Sequence, residues 1–153
     1  MIHERGIALI RHFEGCAKRI SGGRVTAYLC PAKVWTIGWG TTGSTIKPGL
    51  TISQEAADLL LDRDVGRFAQ GVLRQSPSLI LFPLRLAAVT SFAYNLGVGA
   101  YQASTMRRLI NAGRWEAAAA QFPRWVMAGG RELLGLVRRR AAERALFASE
   151  NPQ

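Results

Sequence analysis

The sequence predicts an α+β fold, mostly helical, in which a small β-hairpin lobe and a helical lobe are joined by one long helix. Three observations predict it. Between about residues 24 and 47, aromatic, threonine and glycine residues alternate at short spacing, as in twisted hairpins. From Ser53 onward, apolar residues recur at intervals of three and four, the period of helices with a buried face. A chain of 153 residues with 48% hydrophobic content is long enough for a real core. One domain is therefore expected over 1–153, with a β-rich lobe at about 15–52 and a helical lobe at about 77–150 that includes the N-terminal helix.

Each element has its own signal. The first helix, about 2–13, carries Ile7-Ala8-Leu9-Ile10 and Phe13 and stops at Glu14-Gly15. Ser53 is an N-cap for the long helix, whose Ala56, Ala57, Leu59, Leu60, Leu61 and Val65 run on to Gln75 before Ser76-Pro77. Pro83 begins a helix with almost no polar face before Gly97, so it is expected to be buried and central. Shorter helices are expected at about 104–112 and 114–121. A last one at about 131–148 would place Leu133, Leu134, Val137, Ala141, Ala145 and Leu146 on one apolar stripe.

Charge narrows the partners. The net charge is +10, and arginine supplies 17 of the 20 basic residues. Such a surface suits a polyanion, either nucleic acid or the phosphates and carboxylates of a cell envelope. Nucleic acid ranks last, because the aromatics gather with glycines in one hairpin and are not interleaved with the basic residues. Two cysteines and two histidines make no credible zinc site, so no metal and no cofactor are expected. No apolar run is long enough to span a membrane, and Met1-Ile2-His3-Glu4-Arg5 does not begin a signal peptide; the chain is expected to be made and held in the cytoplasm.

Glu14 closes an apolar segment, and its carboxyl should project from a helix end beside packed hydrophobics. Desolvation there raises a carboxyl pKa, as a general acid requires. Taken alone, Glu14 reads more simply as a solvated or capping glutamate, Thr36 as a strand residue, and Cys30 as a small buried hydrophobe. Trp35 and Trp39 read equally as core or as sugar platforms, with at least one packed inward. The run Arg138-Arg139-Arg140 reads as a solvated helix face.

The ordered motifs resemble the phage-type lysozymes, the endolysin or muramidase family. Its active-site pattern stands here as Glu14-Gly15, Ala27-Tyr28, Cys30 and Thr36-Ile37-Gly38-Trp39-Gly40. The likeness continues through Ser53-Gln54-Glu55-Ala56-Ala57 with Asp64, the run Ser91 to Gly97, Ser104-Thr105, Asn111-Ala112-Gly113, Ala128-Gly129-Gly130, and Gly135 to Glu143. There are departures. The interval from Glu14 to Cys30 is longer than usual, with the surplus around Arg19 to Arg24. Cys30 stands where the commonest pattern has Asp, and Thr41 stands where the family often has His.

The resemblance implies a lysozyme-like fold with an active-site cleft between the lobes. It implies hydrolysis of the β-1,4 bond between N-acetylmuramic acid and N-acetylglucosamine in bacterial peptidoglycan, leading to host-cell lysis. Glu14 would be the general acid, Thr36 and Cys30 would position or activate water, and Tyr28, Tyr94 and Asn95 would contact substrate. The implied partners are peptidoglycan, the anionic envelope and a holin that releases a monomeric enzyme from the host cytoplasm to the wall. Without a second carboxylate the stereochemical outcome stays open, and a lytic transglycosylase is the nearest alternative. A charge-driven module, in which a cationic helix from Glu132 to Phe147 disturbs membranes, is the more distant one. A Cys16–Cys30 disulfide is a minor expectation that would inactivate the site.

Overall fold

The computed structural model describes residues 2–15, 19–20 and 22–150. In chain order the elements are helix α1 (Glu4–Glu14), strands β1 (Arg19–Ile20), β2 (Arg24–Thr26), β3 (Tyr28–Leu29), β4 (Trp35–Ile37), β5 (Thr41–Thr42) and β6 (Thr51–Ser53), then helix α2 (Gln54–Gln75). Helices α3 (Pro83–Leu96), α4 (Val98–Gln102), α5 (Thr105–Asn111) and α6 (Trp115–Ala119) follow, then strands β7 (Met127–Ala128) and β8 (Arg131–Glu132) and helix α7 (Leu134–Ala148). The chain divides into two compact units, Glu14–Asp64 and Met1–Phe13 with Val65–Gln153, the division falling within α2. Small antiparallel sheets and a majority of helix give the expected α+β class.

The strand-rich unit holds two three-stranded antiparallel sheets. One has the order β1-β2-β6, with Val25 opposite Arg19 on one side and Ile52 on the other. The second has the order β3-β4-β5, pairing Tyr28 with Thr36 and Thr36 with Thr42. Val25, Ile37, Trp39, Ile46, Ala57 and Leu61 supply buried apolar surface. Ser53 both ends β6 and caps α2, its Oγ accepting from the Ala56 N–H at 3.0 Å. The expected strand segment stopped short of β6, because a strand of three residues ending in its own helix cap leaves little periodicity to read.

In the helical unit α3 is buried from Arg85 to Ala93 and packs most extensively on α7. Its first turn is capped from afar: Glu150 Oε2 accepts from the N–H groups of Leu84 and Arg85 at 2.6 and 3.1 Å. Ser104 caps α5 by accepting from Arg107 N–H at 3.1 Å.

The C-terminal segment corrects the sequence reading twice. The expected helix over 131–148 begins only at Leu134, because Gly129 and Gly130, at φ 57° and 75°, turn β7 into β8 as a two-residue hairpin loop. The buried face of α7 is Arg139, Arg140, Glu143, Leu146 and Phe147, whereas Leu134, Ala141 and Ala145 of the expected stripe are exposed. Arg138 is solvated, but Arg139 and Arg140 are not. The physical reason is pairing: both guanidiniums sit on the Glu143 carboxylate, so charge is buried with its partner. A membrane-directed amphipathic helix from Glu132 to Phe147 does not fit this packing, since Glu132 lies in β8 and Leu146 and Phe147 are already buried.

Candidate active site

The hairpin of β3 and β4 is built around a three-residue loop. Cys30 N–H donates to the Val34 carbonyl at 3.0 Å, and Lys33 N–H donates to the Cys30 carbonyl at 2.8 Å. Pro31 presets the backbone of the turn, and Lys33 closes it at φ 58°, a left-handed position that glycine usually takes. Side chains alternate across a strand, so Tyr28 and Cys30 share one face with Val34 and Thr36, while Leu29 and Trp35 point the other way. The hairpin thus gathers three of the six expected site residues, Tyr28, Cys30 and Thr36.

Within that face the hydrogen bonding is directional. Thr36 Oγ1 donates to the Val34 carbonyl at 3.0 Å, and its lone pairs can accept from water. Thr36 is only 4% exposed, whereas Cys30 is half-buried and carries a free thiol, so the sulfur is the more accessible of the two. The Val34 backbone N–H lowers the Cys30 thiol below its ordinary value; partial burial opposes this and the Thr36 hydroxyl adds to it. Cys16 lies outside the described residues, and with it the expectation of a disulfide to Cys30.

Helix α2 fixes the next hairpin, β4 to β5, through three contacts. Gly38, at φ 61°, comes so close that a Cβ there would meet Ala57 Cβ at 3.0 Å. Trp39 Nε1 donates to Asp58 Oδ1 at 2.7 Å, and Thr41 Oγ1 donates to Asp64 Oδ2 at 2.8 Å. Trp39 is therefore a packed, anchored ring, and Trp35 is half-buried. Thr41, where the family often has His, serves as a neutral donor to a buried carboxylate.

The other three expected residues stand elsewhere. Glu14 is the last residue of α1, half-buried, with Gly15 at φ 63° ending the helix in the usual left-handed way. Tyr94 and Asn95 lie at the C-terminal end of α3, before Gly97 at φ 93°. Tyr94 packs on Phe68 with ring centroids 5.1 Å apart. Asn95 Oδ1 accepts from Arg140 Nη2.

Behind Asn95 is a buried polar network that the sequence reading missed. Ser91 Oγ donates to Glu143 Oε1 at 2.7 Å, Arg139 Nε lies 3.2 Å from the same oxygen, and Arg140 Nε lies 3.1 Å from Glu143 Oε2. Burial pushes the Glu143 carboxyl above its ordinary value, with Arg140, Ser91 and Arg139 pulling it back. Burial likewise lowers Arg140, and Glu143 opposes that shift. The available signal was the spacing Arg139, Arg140, Glu143, which stacks charges at i, i+3 and i+4 on a helix. Among the described residues no cluster of His, Cys, Asp or Glu could hold a metal, and no helix is long and apolar enough to cross a membrane.

The chain matches the phage lysozyme family over residues 12–143 and belongs to that family. It is 39% identical over 154 residues to the endolysin of Bacillus phage PZA, aligning over 99% of this chain but 57% of that protein, so it spans little more than half the length of that relative. It is 35% identical to the endolysin of Acyrthosiphon pisum secondary endosymbiont phage 1, with 97% of this chain and 98% of that protein covered. Among solved structures, the muramidase domain of SpmX from Asticaccaulis excentricus superposes with a TM-score of 0.81 at 31% identity, covering 97% of this chain and 98% of that one.

Proposed function

We propose that the protein is an endolysin that hydrolyses the β-1,4 bond between N-acetylmuramic acid and N-acetylglucosamine in bacterial peptidoglycan and so lyses its host. The observation that carries this is family membership across residues 12–143; the sequence motifs around Glu14, Cys30 and Thr36 resemble the family's active-site pattern and support their roles. Glu14, as general acid, gives a proton to the glycosidic oxygen as the bond to C1 breaks. Water adds to C1 from the opposite face and passes its proton to a base, for which the Cys30 thiolate is the candidate, with the Thr36 hydroxyl accepting a hydrogen bond from that water. The lowered Cys30 thiol supports this assignment, because it raises the thiolate fraction at neutral pH. Tyr28, Tyr94 and Asn95 take substrate-binding roles.

The +10 charge fits an anionic envelope. In this reading the enzyme is a single catalytic domain, works as a monomer without cofactor, waits in the host cytoplasm and reaches the wall through a holin. The test is clearing of purified peptidoglycan by wild-type and Glu14→Gln protein, with mass spectrometry of the soluble fragments. Hydrated muramyl reducing ends that vanish with Glu14→Gln support the hydrolase; 1,6-anhydromuramyl ends would make the protein a transglycosylase, and an undiminished Glu14→Gln enzyme would remove Glu14 from the acid role.

A further inference from the structure

Asn95 stands half-buried at the end of α3, and among the described residues its carboxamide has one hydrogen-bond partner, Arg140 Nη2. A guanidinium only donates, so chemistry alone decides which end of the amide faces it: the oxygen Oδ1 meets Arg140, and the two N–H donors of Nδ2 are turned away. The guanidinium itself has little freedom. Arg140 is 0% exposed, lies 5.0 Å from the Phe92 ring centroid, and is held by Glu143, which is also 0% exposed and takes Ser91 and Arg139 on its other oxygen. The network therefore fixes a rotor that would otherwise flip at little cost.

We propose that Arg140 is a positioning residue that sets the orientation of the Asn95 carboxamide, so that this position offers N–H donors to a carbonyl oxygen of the substrate, such as that of an N-acetyl group. The inference rests on the reading of Asn95 as a substrate contact. With Arg140 present, the amide cannot turn its oxygen outward without placing N–H against N–H, so the position selects an acceptor. Without it, both orientations are populated and the contact is diluted.

A double-mutant cycle on solubilised glycan strands, read as KM, kcat and thermal midpoint, tests this. Asn95→Asp keeps the oxygen facing Arg140 and deletes the donors; it is expected to raise KM about tenfold, the loss of roughly one hydrogen bond, with kcat little changed and the midpoint not lowered. Arg140→Met is expected to lower the midpoint and raise KM by a similar factor. In an Asn95→Ala background Arg140→Met should lower the midpoint again but leave KM where Asn95→Ala put it. An equal further rise in KM in that background would overturn the proposal while sparing Asn95 as a contact. If Asn95→Ala alone leaves KM unchanged, the substrate-contact reading itself fails. Should Arg140→Met not fold, a wild-type KM for Asn95→Asp decides against the proposal unaided.

Discussion

Tyr101 on α4 is 0% exposed and shares a 2.6 Å hydrogen bond with Ser76 Oγ, also 0% exposed, just past the end of α2. Burial pushes the phenol from 10.0 up to about 12, with the Ser76 bond and Arg107 pulling it partly back. The folded chain therefore holds this proton more tightly than the unfolded one. The associated stability is fully present below about pH 10 and is lost as pH rises through 12. At about 1.36 kcal/mol per pH unit, roughly two units amount to about 2.7 kcal/mol. Tyr101→Phe removes the titration and leaves the Ser76 hydroxyl buried without its partner, costing about 1–2 kcal/mol at neutral pH. Wild type should thus be the more stable protein at pH 7–9, and the gap should close and reverse by pH 12. Urea denaturation followed by circular dichroism across that range measures it. The other ionisable groups are common to both proteins and cancel in the difference. A gap that stays constant to pH 12 would refute the account of a buried, proton-holding phenol.

Three further outcomes are expected. Gly38→Ala places a side chain at φ 61° and 3.0 Å from Ala57 Cβ, so it should destabilise by about 1–3 kcal/mol in a denaturant titration and depress wall clearing through the hairpin that carries Thr36. Lys33→Gly relieves the left-handed strain at φ 58° and should stabilise by about 1 kcal/mol, visible as a higher thermal midpoint. Because the folded Cys30 thiol is lowered, its alkylation by iodoacetamide, mapped by mass spectrometry, should rise at lower pH than in the urea-unfolded chain; the small stability linked to it is present above the unfolded value and lost as pH falls through the folded one. Coincident alkylation profiles would contradict the shift.

Much of the fold was legible because its signals are local. Ser53, Pro83 and Gly97 mark helix ends by backbone chemistry that needs no tertiary partner, and the apolar run from Leu86 to Ala93 has one physical reading. The candidate site residues rest on the resemblance alone, since a lone Glu14 or Thr36 has no distinguishing context. What escaped was non-local. Arg139, Arg140 and Glu143 look solvated until Ser91 and Asn95 of α3 are brought beside them, and an apolar stripe drawn from α7 alone selects the wrong face. Gly129-Gly130, a motif in the sequence, is also the turn between β7 and β8, since paired glycines between short segments are a strong hairpin signal.

The polar contacts between α3 and α7 also bear on how these helices find their alignment. An interface of leucines and alanines tolerates a slip of one turn, because one methyl group replaces another. Directional bonds join Ser91 and Arg139 to Glu143 and Arg140 to Asn95, with Arg140 also ion-paired to Glu143, and moving α7 by one residue would swing the Glu143 carboxylate about 100° around the helix axis, away from Ser91. A misaligned α7 would leave several charged groups dry and unmatched at once. Mispaired states are thereby made costly, and sequence change at this seam has to be concerted: single replacements strand a partner, whereas simultaneous replacement by packed apolar residues would leave a seam of similar stability with less say over its alignment.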